Sequence, residues 1–423
     1  MLSSSKLKRA AAGLAAIAAA SAAAGALTPS GASADPAQFS AFVTVGSDTT
    51  QDVLNALAGK TNGVLFTPIQ SSSATGGVQI ISWDATPPAG VADNCITPKI
   101  GAPTFTRPNG SSAGQRALSR SIDGTGYGGS AANGAAFCAN ADVSGLIDFA
   151  RSSSLDSTSG TQLTYVPFAR DALSFAYYRA AGNAGAVTSL TRAQLDTIFT
   201  SGPQTIDPDG AGPLAPVRIV PCGIQTGSGT KSSWESTVGV SSSEEDAATD
   251  TCSAVVNETT VPGSQAGGRL QEHNAVHLKQ AGDALAASSP AEANTQVIVG
   301  FSASQYIARS ANLGSPQPPA DVILGSISND GAGNNIGSPV SGTYPNFTPV
   351  ASFYNNATFG RTVYNVFPTL TIAGPGNLAL KSLFSGPTSS LCQATSTIQA
   401  MGFTVAPDCG SLATQRGLRS GSF

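Results

Sequence analysis

The chain has 423 residues, of which 41% are hydrophobic and 11% are charged, and its net charge is −4. This hydrophobic content is sufficient for a packed core, and the length suits two domains of ordinary size. The low charge and the absence of a Lys/Arg cluster beyond the first residues argue against nucleic acid as a partner.

Residues 1–34 predict a secretory signal peptide. A basic start at residues 6–9 precedes an Ala-rich run over residues 10–27, and residues 32–34 (Ala-Ser-Ala) offer a cleavage site. The alternative is a transmembrane anchor, but the run is weakly apolar and its flanks fit cleavage better. The cleavage region has no cysteine for a lipid anchor, and no later run is long enough to span a bilayer. We expect a secreted bacterial protein with no membrane insertion after signal removal.

The first predicted strand, residues 42–45, ends in a small polar turn. The turn Gly-Ser-Asp-Thr-Thr occupies residues 46–50, and a helical pattern follows over residues 51–57. A strand, a polar turn and a helix place backbone N–H groups and hydroxyls at a helix N-terminus, which favours anion binding. The candidate ligand-binding residues of this turn are Ser47, Asp48 and Thr49.

The same arrangement recurs three times along the chain. Residues 107–112 precede a helical pattern, a strand over residues 146–150 ends in Arg-Ser-Ser-Ser, and a strand over residues 218–220 leads into the stretch 222–235. Open α/β sheets bind ligands at strand ends, so four such ends predict a shared anion pocket. The alternative for each turn alone is helix N-capping. The candidate residues of these three segments are Ser111, Arg151, Ser153, Ser228, Gly229 and Thr230.

The stretch 222–235 fits neither a nucleotide loop nor a catalytic elbow. Thr230, and not a glycine, precedes Lys231, so the P-loop pattern fails, and the spacing G-x-S-x-G is also missing. His273 and His277 are four residues apart, which would place both on one helix face where they could hold zinc. The order is not HExxH and no third ligand is apparent. We therefore expect no metal, no cofactor and no catalytic residue.

Six cysteines all lie after the predicted signal peptide. An even number of cysteines in an exported chain indicates disulfides. A metal site is the alternative, but the sequence contains no CxxC spacing that would favour one. Six cysteines allow 15 pairings, which the sequence cannot rank rigorously. We predict sequential pairing, and the predicted bonds are Cys95–Cys138, Cys222–Cys252 and Cys392–Cys409.

Several of these segments together resemble the periplasmic phosphate-binding proteins, which are the substrate-binding subunits of phosphate ABC transporters. The turn 46–50, the helix start 110–114, the strand 148–153, the helix 190–199 and the loop 226–230 resemble the family's motifs in order and spacing. No single motif is specific.

The resemblance implies an α/β fold of two lobes that close on a ligand like a clamshell, with mixed sheets. Lobe 1 would comprise residues 35–167 and 330–423, and lobe 2 would comprise residues 168–329. It further implies a small, phosphate-like anion as ligand and an ABC permease as partner. A monomer is expected, because both lobes must move.

Two departures from the family concern its charged ligand groups. Ile224 stands where the family has an arginine four residues before the loop serine, and Ser153 stands where it has an aspartate. Arg151 could replace the arginine, since a guanidinium donates two parallel hydrogen bonds to an oxyanion, and Asp48 could accept a proton from it. Alternatively, Arg151 and Asp48 pair with each other, or Asp48 caps the first helix.

The sequence leaves two further functions open. The same fold could bind another solute, such as a sugar phosphate or a small organic ligand, as a sensor or scavenger. A secreted serine hydrolase is the third reading, although no histidine lies near a serine motif in the sequence.

Overall fold

The structure is a computed structural model that describes residues 42–88, 94–128, 138–210 and 212–421. The predicted signal peptide, residues 1–34, lies outside the described residues. Over these ranges the chain is a mixture of strands and helices, which confirms the predicted α/β class.

The described residues form nineteen strands, most of which are short. The long strands are rich in β-branched and aromatic residues, as expected for buried strands. The strands are β1 (Phe42–Gly46), β2 (Lys60–Thr61), β3 (Val64–Leu65), β4 (Ile80–Ser82), β5 (Cys95–Ile96), β6 (Phe105–Thr106), β7 (Phe149–Ser152), β8 (Leu163–Arg179), β9 (Ser189–Thr191), β10 (Gln204–Ile206), β11 (Val217–Pro221), β12 (Thr295–Ser302), β13 (Ile323–Leu324), β14 (Ser326–Asn329), β15 (Val340–Thr343), β16 (Asn346–Pro349), β17 (Gly360–Pro368), β18 (Thr404–Val405) and β19 (Gln415–Arg416).

Thirteen α-helices lie in the described ranges. None of them is long and apolar enough to cross a bilayer. The helices are α1 (Gln51–Leu57), α2 (Ser111–Asp123), α3 (Arg192–Ser201), α4 (Gly229–Val238), α5 (Ser242–Ala248), α6 (Asp250–Ser253), α7 (Ala275–Ser288), α8 (Ala303–Ser310), α9 (Ala351–Tyr354), α10 (Thr369–Ile372), α11 (Leu378–Phe384), α12 (Ser390–Gln393) and α13 (Thr395–Ala400).

Eleven strands form one mixed sheet, in the order β10-β11-β12-β8-β17-β7-β1-β4, with β13, β18 and β19 also paired to β8. Strand β1 is parallel to β4 and β7, and β11 is parallel to β12. Strand β8 is antiparallel to both β12 and β17. The carboxyl ends of β1 and β7 therefore meet at one edge, where the predicted polar turns begin.

Strand β8 joins the two halves of this sheet. Up to Ala172 it pairs with β17, and from Leu173 onward it pairs with β12. Two hydrophobic cores pack around the first half and a third packs around the second. Because one strand runs through both halves, the lobe boundaries at residues 167/168 and 329/330 stay a prediction.

Most predicted elements around the polar turns are confirmed, with one shift. Strand β1, helix α1 and helix α4 lie where the sequence pattern placed them. The strand predicted over residues 146–150 instead begins at Phe149 and extends through Ser152. The reason is a turn before it, in which Gly145 has a φ of +67° and the N–H of Leu146 donates to the carbonyl of Val143.

The prediction that His273 and His277 share a helix face is wrong. Helix α7 begins only at Ala275, and the side chain of Asn274 caps it by accepting the N–H of His277. His273 lies before the cap, with a φ of +58° that no α-helix contains. The two imidazoles therefore do not form an i,i+4 pair.

The three predicted disulfides are confirmed. Their Cα–Cα distances are 5.9 Å for Cys95–Cys138, 5.2 Å for Cys222–Cys252 and 5.9 Å for Cys392–Cys409. Each lies in the range that a disulfide requires.

We predict that the Cys222–Cys252 bond stabilises the second half of the fold. Replacing both residues with alanine should lower the free energy of unfolding by about 3 kcal/mol, because the unfolded chain regains the freedom of a closed loop. Urea denaturation of the double variant and the parent measures this. Thiol labelling of the denatured parent should find no free thiol, and two labelled cysteines would contradict the pairing.

Candidate functional site

The turn after β1 lies directly against the start of α2. A Cβ atom on Gly114 would overlap the Cα of Gly46, so only glycine permits this approach. Gly46 also has a φ of +113°, which side chains rarely adopt. These two glycines fix the turn 47–50 next to the N-terminus of α2.

The loop before α4 ends in a capped helix N-terminus. Ser228 is the N-cap, and its Oγ accepts the N–H groups of Thr230 and Lys231, both at 3.0 Å. A side-chain oxygen that accepts these N–H groups is what the start of a helix requires. Ser228 is therefore a helix N-cap, as the alternative interpretation of this turn predicted. Its hydroxyl proton remains available to donate a hydrogen bond.

Ser111 and Ser153 lie against the backbone of this loop. Their hydroxyl oxygens are 3.2 Å apart, and Ser111 Oγ accepts the N–H of Ser153 at 3.0 Å. A Cβ atom on Gly229 would collide with both hydroxyls. Gly229 is thus needed for close contact between the loop and these two serines.

Two threonine hydroxyls, an imidazole and a guanidinium meet beside this loop. The Oγ1 atoms of Thr49 and Thr230 are 3.0 Å apart, and His273 Nε2 lies 3.0 Å and 3.1 Å from them. Arg361 Nη2 is 3.4 Å from Thr49 Oγ1 and 3.0 Å from Thr230 Oγ1. These residues come from four distant parts of the chain.

A carboxylate completes the group. Glu272 Oε2 accepts a hydrogen bond from Ser228 Oγ, and it lies 3.9 Å from His273 Nε2. Among the described residues, Oε1 of Glu272 and Nη1 of Arg361 are buried without a hydrogen-bond partner. We call the six side chains of this group the polar cluster: Thr49, Ser228, Thr230, Glu272, His273 and Arg361.

Asp171 on β8 holds Arg361 in place. Its Oδ2 accepts Arg361 Nε at 3.0 Å and Nη2 at 2.8 Å. Its Oδ1 accepts Ser302 Oγ at 2.8 Å and the N–H of Ser304 at 3.1 Å. Because Asp171 is fully buried and every contact is a hydrogen bond, the guanidinium has a fixed direction toward the threonine hydroxyls.

A second buried ion pair lies next to the polar cluster. Arg309 on α8 pairs with Asp48 at 2.6 Å and with Asp52 at 3.5 Å, and it donates to the carbonyl of His273 at 2.7 Å. Gln271 Nε2 also donates to Asp48 at 3.2 Å. Asp48 therefore neither pairs with Arg151 nor caps α1, whose N-cap is Thr50 without a side-chain bond.

Arg151 holds backbone rather than forming a free fork. Its Nε donates to the carbonyl of Ser47 at 3.1 Å, its Nη2 to the carbonyl of Gly46 at 3.1 Å and its Nη1 to Ser82 Oγ at 2.8 Å. The guanidinium is fully buried behind the first turn. The predicted role of Arg151 as the anion's fork is thus not what this geometry favours.

The structure brings together most of the residues that the sequence predicted as ligands. Thr49, Ser228 and Thr230 belong to the polar cluster, and Ser111, Ser153 and Gly229 contact its loop. Ser47 does not join them by its side chain, because its buried Oγ has no hydrogen-bond partner among the described residues.

Sequence reasoning missed the charged members of the site. Arg361 and Glu272 follow no recognised motif, and His273 was read as part of a helix. One signal was present: Asp171 lies in the middle of the long, largely apolar β8, next to Arg170, and a buried charge requires a partner. That signal indicates that a partner exists but does not identify Arg361.

Burial raises the pKa values of two carboxyl groups at the site. The pKa of Glu272 rises to about 7, mainly through burial and then through the nearby charge of Asp48. Hydrogen bonds from Ser228 and the charge of Arg361 offset part of this rise. The pKa of Asp52 rises to about 6 through burial, which Arg309 partly offsets. Both groups therefore change protonation near neutral pH.

His273 is a fixed neutral donor. Burial, followed by the charges of Arg309 and Arg361, lowers the pKa of its imidazole well below 6.5. Its Nδ1 accepts the N–H of Ser302 at 3.3 Å, so in the neutral ring Nε2 carries the proton. An imidazole in this tautomer donates to Thr49 and Thr230 and cannot take a proton from them, which argues against a Ser–His or Thr–His nucleophile.

The polar cluster is suited to holding an anion. Apart from Glu272, its side chains supply hydroxyls, an imidazole N–H and a guanidinium as donors, and they lie at the N-terminus of α4, where the helix dipole favours negative charge. Among the described residues, no group of three or more His, Cys, Asp or Glu side chains could hold a metal ion. Five members of the cluster are buried and the Arg361 side chain is 9% exposed, so a ligand enters only when the surrounding segments separate.

Comparisons with known proteins give matches among solved structures only. No protein-family model and no curated protein matches the chain. A candidate phosphate ABC transporter substrate-binding protein of Clostridium perfringens, solved with phosphate, is 14% identical, with a TM-score of 0.42 over 86% of this chain and 99% of that one. An ABC-type phosphate transport receptor of Vibrio cholerae gives the same four values.

PstS of Borrelia burgdorferi is 12% identical, with a TM-score of 0.37 over 86% of this chain and 98% of that one. The search thus returns the family that the sequence resembles. Because all these TM-scores are below 0.5, the interpretation of the site rests on its own geometry.

We predict that Arg151 contributes to stability. Arg151→Met should lower the free energy of unfolding by about 3 kcal/mol or more, because three buried acceptors lose a charged donor. Urea denaturation measures this change, and Arg218→Met, which removes a partly exposed arginine, is the control with an expected loss below about 1 kcal/mol. If Arg151→Met is as stable as the parent, Arg151 does not stabilise the fold and is again a candidate ligand of the anion.

We also predict that neither histidine takes up a proton in the folded protein between about pH 7.5 and 5. Burial lowers the pKa of His277 to about 4 and lowers that of His273 well below 6.5. NMR of the imidazole Hε1 signals across this range should show no inflection. The urea-unfolded chain is the control and should titrate near about pH 6.5. An inflection in the folded protein above pH 5 would show that an imidazole is charged or exposed.

Proposed function

We propose that the protein is an extracellular solute-binding protein that captures phosphate or a similar small oxyanion at the polar cluster. The observation that carries this proposal is the convergence of donors from distant segments on the N-terminus of α4. Ser228 caps α4 and Thr230 lies in its first turn, while Thr49 comes from the turn after β1 and Arg361 comes from β17.

The donors suit an oxyanion for a physical reason. Buried donors without acceptors are costly, and Nη1 of Arg361 has no acceptor among the described residues. An oxyanion between the loop and the guanidinium would accept this N–H together with the hydroxyl protons of Ser228 and Thr230. Hydrogen bonds in which one partner is charged are roughly twice as strong as neutral ones.

In this proposal Arg361 takes the part that the sequence analysis gave to Arg151. Arg361 lies beside the loop, and its Nη1 has no acceptor among the described residues. Arg151 instead donates its N–H groups to backbone carbonyls of the first turn. Asp48 is likewise not proposed as a direct ligand, because its carboxylate accepts hydrogen bonds from Arg309 and Gln271.

The transport role is also part of the proposal. Export is what the predicted signal peptide indicates, an ABC permease as partner is what the resemblance implies, and a monomer is expected because both lobes must move. The proposed activity is binding without catalysis, and the tautomer of His273 supports this choice over a serine hydrolase.

Titration calorimetry of the purified protein tests the function. Phosphate should bind with a dissociation constant below about 1 mM, with sulfate and a sugar phosphate as the comparison ligands. Tighter binding of the sugar phosphate would favour the alternative solute. Folded protein that binds none of the three would contradict the proposal.

We predict that Arg361→Lys weakens phosphate binding by about 10- to 150-fold, because one charge-assisted hydrogen bond of about 1.5–3 kcal/mol is lost. Lysine keeps the charge opposite Asp171 but cannot supply the planar fork. The matched control is Arg218→Lys, which changes an ion pair with Glu292 outside the cluster and should leave the affinity unchanged. An Arg361→Lys protein that binds phosphate as tightly as the parent would exclude Arg361 as a ligand.

A further inference from the structure

We propose that Glu272 is an internal competitor for the anion: its carboxylate occupies the anion position at the N-terminus of α4, so that an oxyanion binds with uptake of a proton by the protein. This inference rests on the proposed function, because it concerns the same donors. It assigns to Glu272 a role in setting the affinity and pH dependence of binding.

The hydrogen bonds at Glu272 are those that an anion would make. Ser228 accepts two backbone N–H groups of α4 through its Oγ, and its hydroxyl proton is directed to Glu272 Oε2. Thr230 and Arg361 also interact with the carboxylate. The carboxylate thus uses the donors that the proposed function gives to an oxyanion.

The backbone holds Glu272 in this position. The N–H of Glu272 donates to Gln225 Oε1 at 2.7 Å, which ties the residue to the segment before the loop. The next residue, His273, has a φ of +58°, a conformation that non-glycine residues adopt only when their surroundings require it. The segment is therefore held in a single arrangement that directs the carboxylate into the site.

The carboxylate is not fully satisfied there. Glu272 is 1% exposed, and its Oε1 has no hydrogen-bond partner among the described residues. A buried, ionised oxygen without a donor is costly, so this arrangement is less stable than one in which the group is protonated or displaced.

The charges around Glu272 oppose the addition of a further anion. The first turn and α1 contribute Asp48 and Asp52, and β8 contributes Asp171. The neighbouring cations are Arg309 on α8, Arg361 on β17 and Arg151 on β7, which interacts with Asp48 and Asp52, while His273 is neutral. With Glu272 ionised, four carboxylates face three guanidinium groups, so the loss of a negative charge favours the entry of an anion.

Protonation of Glu272 removes one negative charge from the site. Its raised pKa of about 7 places the neutral form within reach at physiological pH. A neutral carboxyl no longer competes for the hydroxyl protons and can instead donate a hydrogen bond to the oxyanion. Binding should therefore strengthen as the pH falls toward 7 and should take up about one proton per anion at higher pH.

Calorimetry of the parent and of Glu272→Gln with inorganic phosphate tests this inference. At about pH 8.5 the variant should bind about 30-fold more tightly than the parent, because the protonated form of a group with a pKa of about 7 declines tenfold per pH unit. At about pH 5.5 the two affinities should agree. The ratio of the two dissociation constants cancels the titration of phosphate itself.

Proton uptake is measured separately, by repeating the titrations in buffers of different ionisation enthalpy. At about pH 8.5 the parent should take up about one more proton per phosphate than Glu272→Gln does. The matched control is Glu235→Gln, which changes a buried glutamate of α4 that pairs with Lys231 and should keep the parent's pH dependence. The parent's proton count stands even if a variant fails to fold.

The outcomes separate this inference from the function on which it rests. Folded parent and Glu272→Gln proteins that both fail to bind phosphate at either pH would overturn the proposed function together with the inference. A parent that binds phosphate without excess proton uptake, and a variant of equal or weaker affinity at the higher pH, would overturn the inference alone. Binding by the variant and not by the parent at the higher pH would support it.

Discussion

The position of the site depends on one buried ion pair, between Asp171 and Arg361. Strand β8 pairs with β17 up to Ala172 and then exchanges this neighbour for β12, and Asp171 lies at the point of exchange. Its carboxylate accepts hydrogen bonds from residues of both neighbouring strands. One carboxylate oxygen holds the guanidinium, and the other holds Ser302 and the start of α8. The exchange of strands and the direction of Arg361 are thus fixed by the same group. Removing either partner would leave a buried charge uncompensated, which is strongly destabilising.

The remaining donors reach Arg361 through close backbone contacts. Gly46 and Gly114 bring the first turn against α2, and Gly229 brings the loop against Ser111 and Ser153. None of these contacts tolerates a side chain. The polar cluster is therefore a product of tertiary packing, in which parts of the chain between residues 49 and 361 meet.

The sequence predicted what local chemistry determines. The strand–turn–helix pattern located Thr49, Ser228 and Thr230, because a polar turn before a helix has a recognisable composition. The cysteine pairing was also predicted, since sequential partners close short loops. The wrong assignment of His273 to a helix came from spacing alone, because the pattern contained no signal for a left-handed residue before the cap at Asn274.

The charged residues could not be predicted, because their roles arise from distant partners. Arg151 lies in a motif near the end of β7 and was predicted to be an anion ligand, but its hydrogen bonds go to the backbone of the first turn. Arg361 and Glu272 lie in segments without a motif, and only the packing of β17 and of the segment before α7 brings them to α4. Together they form a site in which hydrogen-bond donors suited to an anion lie beside a carboxylate that competes for the same donors.

A crystal structure of the protein grown with saturating phosphate at about pH 5.5, below the raised pKa of Glu272, would show whether an oxyanion binds at the polar cluster. We expect tetrahedral density within hydrogen-bond distance of Ser228, Thr230 and Arg361, with the Glu272 carboxyl displaced from Ser228 Oγ or donating to the anion. Phosphate bound elsewhere, or an unchanged bond between Ser228 and Glu272 without density beside Arg361, would contradict this expectation.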